Sequence, residues 1–290
     1  MNPSDSDRWK SQVMDEIFLA FAASPELQGV MVFKGARVLN VLLSNGRQSL
    51  DLDCNLTQAF VTKTPQREDQ RRMLELWISR AVRAHFERVE PVRYGLNSVA
   101  VNSNPASQHP RGWDAFEVKL KVDDQSKRIP NLLVLRVDVA APEQLLDTSV
   151  GPLKLGEHQA NAYTLERIAG EKLRAFLSSL PAYRAKVKKP GDAVRVKDLY
   201  DLSRILRFKS LSQLTFWEHV GEEFVRACRS RYIDCQGLVT FREQWEVTRA
   251  TYERSILLKD IPFDEAEGSL ESIVHFLEQS RIIPFQFPLP

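Results

Sequence analysis

The sequence predicts an α+β fold, with a mixed-sheet domain over residues 1–160 and a helical domain over residues 161–290. Three observations predict this order. Strand-like and helical runs alternate in the first half, strand signals stop after about residue 160, and the later periodic segments have helical spacing. A length of 290 residues with 43% hydrophobic side chains suffices for two ordinary domains with buried cores.

The first half opens with a helix that ends near Pro25, because its apolar residues have helical spacing. The apolar run at residues 30–33 predicts a buried strand, and a helical pattern follows over residues 38–42. Residues 50–54 alternate between apolar and polar side chains, which is typical of a strand. Residues 66–89 have the pattern of a long helix.

Later elements follow from the same periodicities. The alternating runs at residues 116–122 and 133–139 flank a polar turn, so they predict a β-hairpin. The last ten residues, 281–290, are apolar and contain proline, and we expect them to lie extended against the body. Helices are predicted over residues 165–180, 197–208, 211–228, 238–258 and 270–276.

Composition excludes several classes of protein. No window approaches the roughly 18 uninterrupted apolar residues of a membrane span, and the polar start MNPSDSDRWK lacks a secretory core. We therefore expect a cytoplasmic protein without membrane spans. Cys54, Cys228 and Cys235 lack the spacing of a zinc site or a disulfide framework. The net charge of +2 gives by itself no support to a nucleic-acid partner.

Asp51 and Asp53 are the most specific local feature of the sequence. On a strand, residues i and i+2 point to the same side, so the two carboxylates would share one face. They would repel each other without a cation, and Mg²⁺ binds through one or two carboxylates together with substrate phosphates. The alternative is an acidic strand edge that faces water.

A basic turn precedes these aspartates, because Lys34-Gly35-Ala36-Arg37 opens a helix whose first N–H groups form a natural anion site. Gly35 permits close approach to the backbone, and Lys34 and Arg37 add charge for phosphates. Gly35 could instead serve only the turn, with both cations solvated. A strand, a glycine turn, a helix and an acidic strand in this order predict a nucleoside triphosphate site.

Asp138 is the candidate third carboxylate of that site. It is flanked by apolar residues in the last strand-like run, where an aspartate is costly unless it is paired or bound to a metal. The alternatives are a structural hydrogen bond or an ion pair with Arg136.

Four segments of the chain resemble the AbiEii (also MenA or MenT) toxins, which belong to the DNA polymerase β-like nucleotidyltransferases. They come in the family's order within about residues 30–205. The segments are FKGARVL at residues 33–39, SLDLD at 49–53, ERIAGEKLRA at 166–175 and RVKDLYDL at 195–202.

The resemblance implies a bilobed protein, with a nucleotidyltransferase core whose paired aspartates hold Mg²⁺ and a C-terminal helical domain. It also implies an NTP substrate, a tRNA acceptor and an antitoxin encoded beside the gene. The candidate catalytic residues are Asp51, Asp53, Asp138, Lys172, Asp198 and Asp201, the first three as metal ligands. The candidate phosphate-binding residues are Lys34, Gly35, Arg37 and Ser49.

Ala36-Arg37 departs from the family's usual glycine followed by serine or threonine. Arginine can make a bidentate contact with a phosphate. We favour that interpretation because the other motifs are intact. An altered donor nucleotide or a weakened enzyme are the alternatives.

Lys172 lies within the apolar face of its predicted helix. A lysine there would seek an anion, or else extend to the edge of the face. Asp198 and Asp201 would share one side of their own helix, and we expect one of the two to reach Lys172 or the site.

Residues 164–210 contain 12 basic and 5 acidic residues, an excess of seven positive charges in a chain whose total is +2. A basic loop near a nucleotide site suits an RNA backbone, and a solvated surface loop is the alternative. The predicted RNA-binding residues are Arg184, Lys186, Lys188, Lys189 and Arg195.

The sequence therefore predicts a Mg²⁺-dependent nucleotidyltransferase toxin that transfers NMP from an NTP to RNA, foremost to the 3′ end of tRNA. Two alternatives stay open: transfer to a protein or small-molecule acceptor, and non-catalytic NTP binding.

Overall fold

The chain divides into two compact units, Met1–Tyr163 and Thr164–Pro290. The computed structural model describes residues 3–44, 49–107, 114–126, 133–184, 194–255, 258 and 260–288. The predicted α+β class is confirmed, because helices accompany a mixed sheet in the first unit and dominate the described part of the second. Within the described ranges, no helix has the length and apolar character needed to cross a membrane.

The first unit is built on a mixed sheet. Its described strands are β1 (Met31–Lys34), β2 (Leu52–Leu56), β3 (Tyr94–Asn104), β4 (Ala115–Asp124), β5 (Val134–Ala140), β6 (Val150–Leu155) and β7 (His158–Tyr163). They follow the order β3-β4-β5-β2-β1-β7-β6 across the sheet. β2 runs parallel to β5 and β1 runs parallel to β7, whereas the other neighbouring pairs are antiparallel. The predicted hairpin of β4 and β5 is therefore confirmed.

Two long helices cover one face of this sheet. The helices of the first unit are α1 (Pro3–Ala23), α2 (Pro25–Gln28), α3 (Gly35–Leu42), α4 (Gln58–Lys63) and α5 (Arg67–Arg88). The ring of Phe18 on α1 lies 4.8 Å from that of Phe33 on β1, and the Arg67 guanidinium on α5 lies 5.6 Å from the Phe116 ring centroid on β4. Side chains alternate along a strand, so Lys34 and Glu117, which follow Phe33 and Phe116, point to the opposite face.

Strands β3, β6 and β7 are absent from the sequence prediction. A register shift between Leu96 and Ser98 breaks the period of two in β3. Gly151 and Pro152 lie inside β6, where an edge strand tolerates them but a sequence pattern suggests a turn. Half of the residues of β7 are polar and its apolar residues are small except for Tyr163, so the local pattern is weak and the strand depends on pairing with β1 and β6.

The described part of the second unit consists of helices and one isolated β-bridge. The helices are α6 (Leu165–Ser178), α7 (Pro181–Arg184), α8 (Val196–Phe208), α9 (Leu214–Arg229), α10 (Leu238–Phe241), α11 (Trp245–Glu253) and α12 (Phe263–Gln279). The single helix predicted over residues 238–258 is wrong, because Gln244 has a left-handed φ of +56° that separates α10 from α11. α6 and α9 approach so closely that a Cβ at Gly170 would lie 2.7 Å from the Phe224 nitrogen.

The C-terminal segment follows its prediction as far as it is described. Phe285 exchanges two backbone hydrogen bonds with Cys235, of 2.9 and 3.1 Å, and its ring lies 5.6 Å from that of Phe224. The segment after α12 therefore lies extended against the helices.

Candidate active site

Four charged side chains form one row across the face of the sheet that lies opposite α1 and α5. Lys34 on β1 is the cross-strand partner of Asp53 on β2, and Asp53 is the partner of Asp138 on β5. Asp138 is in turn the partner of Glu117 on β4. Because directly opposite residues point to the same face, these side chains are neighbours. We name Lys34, Asp53, Asp138 and Glu117 the charged row.

The hydrophobic face fixes the orientation of this row. Phe33 and Cys54 are cross-strand partners on the side covered by helices, and both are fully buried. Burial raises the pKa of the Cys54 thiol, which keeps it neutral. A shift of one residue in register would move the aspartates into this core, so the apolar residues determine where the carboxylates point.

Asp138 differs from its sequence expectation, because β5 is only half-buried and Asp138 lies on the exposed side. Partial burial raises the pKa of its carboxyl, and the nearby charges of Asp51 and Glu117 raise it further. Arg136 and Lys34 act in the opposite direction with smaller effects. The carboxylates on this face therefore repel one another more than the neighbouring cations compensate.

The structure shows a reason for glycine at position 35 that the sequence did not reveal. Its φ is +81°, in the left-handed region, and a Cβ at this position would overlap the Asp53 carboxylate at Oδ2. Gly35 thus leaves room for Asp53 at the start of α3, in addition to any approach by a ligand.

Lys34 is held by three residues that sequence reasoning missed. Its Nζ lies 3.3 Å from Glu143 Oε1, and both side chains are 18% exposed. The Tyr163 hydroxyl donates to Glu143 Oε2 at 3.2 Å, and Asn55 Nδ2 donates to the Tyr163 hydroxyl at 2.9 Å. Asn55 lies two residues after Asp53 and could have been found by strand periodicity. Glu143 lies in a loop and Tyr163 on an unpredicted strand, so neither gave a signal.

Arg37 and Ser49, which the sequence predicts to bind phosphate, both make contacts within the protein. Arg37 is only 4% exposed, and its guanidinium binds the Asp15 carboxylate and the Ser49 carbonyl oxygen. The Ser49 hydroxyl donates to the Asp51 carbonyl oxygen at 3.3 Å. Both side chains fix the segment before Asp51, because the N-terminal turn of α3 directs Arg37 toward α1 and away from solvent.

Lys172 lies in a buried ion cluster of the second unit. Its Nζ is 3.1 Å from Asp198 Oδ1 and 2.6 Å from Asp201 Oδ2, so both aspartates of the closing motif contact it. Arg195 binds Asp198, and Arg204 lies 3.3 Å from Asp201 Oδ1. We name Lys172, Asp198, Asp201, Arg195 and Arg204 the helical ion cluster.

The pKa of Asp198 shows that the cations of the helical ion cluster compensate its buried negative charge. Burial by itself would raise the pKa, but the charges of Lys172 and Arg195 and their hydrogen bonds hold it below its ordinary value. The carboxylate is therefore fully ionised at neutral pH and satisfied by protein groups. Each charged side chain of the cluster is thus paired with one of opposite charge.

The predicted RNA-binding loop falls mostly outside the described residues. This applies to Lys186, Lys188 and Lys189, and to the side chain of Arg184, whose backbone ends α7. Arg195 is described; its side chain is 60% exposed and pairs with Asp198.

The described residues provide carboxylates for a metal site but not a complete set of metal ligands. Among the side chains that the structure describes, no three or more of His, Cys, Asp or Glu converge closely enough to hold a metal ion. The predicted ligand set of Asp51, Asp53 and Asp138 is thus not assembled by the protein alone. Carboxylates that share a face and raise the pKa of Asp138 nevertheless fit Mg²⁺, which takes most of its remaining ligands from substrate phosphates and water.

Comparisons with known proteins place this geometry in context. The family model described as nucleotidyl transferase AbiEii toxin, type IV TA system, matches residues 17–271. The crystal structure of JHP933 from Helicobacter pylori is 15% identical, with a TM-score of 0.53 and 97% of each chain covered. A second H. pylori structure, named as a nucleotidyltransferase, is 14% identical with a TM-score of 0.51 and the same coverage. At these identities the structures show a shared fold alone. No curated protein sequence matches the chain.

Proposed function

Because the chain belongs to the AbiEii family of nucleotidyltransferase toxins of type IV toxin–antitoxin systems, we propose that it modifies RNA in a Mg²⁺-dependent reaction. It transfers a nucleoside monophosphate from an NTP to an acceptor hydroxyl, foremost at the 3′ end of tRNA. The observation that carries the proposal is the juxtaposition of Asp53 and Asp138 beside the Gly35 turn at the start of α3.

The donor nucleotide would lie on the β1 side of the carboxylates. The first N–H groups of α3 point out of a helix that begins at Gly35 and has no acidic residue in its first turn. Lys34, oriented by Glu143, adds positive charge beside Asp53. This combination suits the triphosphate of an NTP.

The acceptor hydroxyl would attack the α-phosphorus, forming a new P–O bond while the bond to pyrophosphate breaks. Mg²⁺ bound by Asp51 and Asp53, with Asp138 as third candidate ligand, would neutralise the triphosphate and lower the pKa of the acceptor hydroxyl. Asp138, the strand neighbour of Asp53, would also be a base for the hydroxyl proton. A direct catalytic role for Lys172, Asp198 and Asp201 stays a prediction, as does RNA binding by Arg184, Lys186, Lys188, Lys189 and Arg195.

The test is incubation of the purified protein with Mg²⁺, each labelled NTP in turn, and total tRNA. We expect one or more NTPs to label tRNA, and Asp53→Asn to lower the rate by about three orders of magnitude. Asp123→Asn is the matched control, because Asp123 is an exposed aspartate on β4, remote in register from the charged row.

Other outcomes separate the alternatives. Label in protein or in a small molecule, with none in tRNA, would replace the acceptor. Tight NTP binding without pyrophosphate release would point to a non-catalytic protein. The toxin–antitoxin family implies a cognate antitoxin, and we propose that it is encoded beside this gene. Co-expression of the neighbouring reading frame should relieve growth inhibition by the wild-type chain.

A further inference from the structure

Three cations lie beside the charged row, on the same face of the sheet. Arg136 is two residues before Asp138 on β5, so its side chain points to the same side. Lys119 on β4 is the cross-strand partner of Arg136, and Lys121 follows two residues later on β4. We name Arg136, Lys119 and Lys121 the basic strip.

The basic strip faces solvent. The side chains of Arg136 and Lys119 are 61% and 41% exposed, and Lys121 is exposed as well. The intervening residues Val118 and Leu120 are fully buried on the opposite face. Because buried and exposed side chains alternate along β4 and β5, the three cations point away from the core.

Glu117 connects the basic strip with the charged row. Its two carboxylate oxygens lie 2.9 Å from Lys119 Nζ and 3.5 Å from Arg136 Nε. Ion pairs between exposed groups contribute little free energy, so a phosphate can replace Glu117 as their partner at small cost. The guanidinium of Arg136 can bind such a phosphate through two parallel hydrogen bonds. Glu117 thus keeps two cations in position beside Asp138 without neutralising the strip.

Sheet order places different positive features on the two sides of the carboxylates. Lys34 and the Gly35 turn lie on the β1 side of Asp53, whereas the basic strip lies on the β5 and β4 side of Asp138. Nucleotidyl transfer to RNA requires two anionic substrates to meet at the carboxylates. The arrangement supplies one positive surface for each substrate.

We infer that the basic strip binds the phosphate backbone of the RNA acceptor, while the NTP lies on the Lys34 side. This inference rests on the proposed function. Neighbouring strands are about 4.8 Å apart, and residues i and i+2 on a strand about 6.6 Å. Lys119 and Lys121 follow one strand and Arg136 lies beside Lys119, so the three cations extend beyond a single phosphate and fit a polynucleotide backbone better than one compact anion.

The experiment compares a variant of the strip with a charge-matched control. The test variant is Arg136→Gln/Lys119→Gln/Lys121→Gln. The control, Lys63→Gln/Arg83→Gln/Arg88→Gln, removes the same charge from exposed positions of α4 and α5. Binding of fluorescent tRNA and of a single-stranded RNA homopolymer is measured without NTP over a series of salt concentrations.

We expect the test variant to bind both RNAs about 10- to 100-fold more weakly at low salt. The slope of log affinity against log salt should fall by about two, since each lost phosphate contact removes about 0.7 to 0.9. NTP binding by the test variant should stay within about twofold of wild type, which shows that the sheet is intact. The control should keep most of the RNA affinity.

The substitution Glu117→Gln should change RNA affinity in the opposite direction. Removal of this carboxylate frees Lys119 and Arg136 for phosphates, so RNA binding should tighten several-fold. Asp53→Asn should lower the transfer rate by about three orders of magnitude while RNA binding persists. This separation distinguishes a binding surface from the reacting groups.

Two results would overturn the inference in distinguishable ways. If wild type binds and labels tRNA but the test variant binds RNA as well as the control does, the strip is not the acceptor surface and the proposed function stands. If wild type transfers nucleotides yet has no affinity for RNA, the RNA acceptor and the strip's role are both wrong.

Discussion

Asp138 on the sheet and Asp198 on α8 have pKa values displaced in opposite directions. Partial burial and then the charges of Asp51 and Glu117 raise the pKa of Asp138. Burial opposes ionisation of Asp198 too, yet Lys172 and Arg195 outweigh it and lower its pKa. Near Asp138 the carboxylates outweigh the cations Arg136 and Lys34, whereas near Asp198 the cations outweigh the effect of burial.

This difference indicates which of the two regions binds an external cation. In the helical ion cluster, two buried aspartates are met by three cations. The carboxylates of the charged row share one face of the sheet, and they form a negative region that an external cation would stabilise. We therefore expect substitutions in the cluster to change folding stability first, and substitutions in the row to change activity first.

The largest expected effect is that of Lys172→Met. It leaves Asp198 and Asp201, which are 3% and 0% exposed, without their shared cation. Breaking a buried ion pair from one side costs about 3–5 kcal/mol. Urea unfolding should show this loss, and Lys197→Met, at an exposed lysine of α8 beside the two aspartates, should change stability little. A variant that loses transfer but keeps its unfolding free energy would mean that the comparison is wrong and Lys172 acts chiefly in catalysis.

Gly35→Ala should have the next largest effect, and mainly on activity. The new Cβ must occupy a left-handed backbone position and overlaps the Asp53 carboxylate, so Asp53 has to move. A displacement of about 1 Å in a catalytic group can cost about a hundredfold in rate. Transfer rates measured at saturating NTP should fall by that amount.

Gly29→Ala is the control for this change. A Cβ at Gly29 meets nothing within 4 Å, and its φ is −78°, which alanine adopts readily. If both substitutions reduce transfer equally, the close approach of Gly35 to Asp53 has no special importance.

Much of this arrangement could be predicted from sequence, because it follows from strong local patterns. The alternation around Asp53 and around Asp138 predicts two strands, and the structure has β2 and β5 there. Asp51 lies just before β2, and Asp138 lies on the exposed side of β5 and not in a buried strand. The pairing of β2 beside β5, which makes Asp53 and Asp138 neighbours, is a property of sheet order and has no local signal.

The remaining differences have the same physical origin. Periodicity indicates that Arg37 opens a helix, but only the packing of α3 against α1 shows that its guanidinium is buried on Asp15. Glu143 and Tyr163 orient Lys34 across more than a hundred residues of sequence separation from β1. Contacts between distant segments determine these side chains, so a single sequence cannot reveal them.

The pH dependence of stability is a smaller effect that sharpens the comparison. Because the folded pKa of Asp198 lies below its unfolded value of 3.8, ionised Asp198 contributes stability above about pH 4. That contribution is lost as the pH falls through the folded pKa. Urea unfolding between pH 7 and pH 3 should show a steeper loss for wild type than for Asp198→Asn. Equal slopes would mean that Lys172 and Arg195 do not favour the ionised carboxyl.

The smallest expected effect separates Arg37 from Lys34 within the sheet unit. Arg37 is paired with Asp15 and with the Ser49 carbonyl oxygen, so Arg37→Gln should lower the unfolding free energy by about 1 kcal/mol and leave NTP affinity within about twofold. Lys34→Gln removes the cation beside Asp53 and should weaken NTP binding about tenfold. Titration of each variant with NTP in the presence of Mg²⁺ measures both. If Arg37→Gln has the larger effect on NTP affinity, Arg37 must leave Asp15 to bind phosphate, and the buried contact is not its functional state.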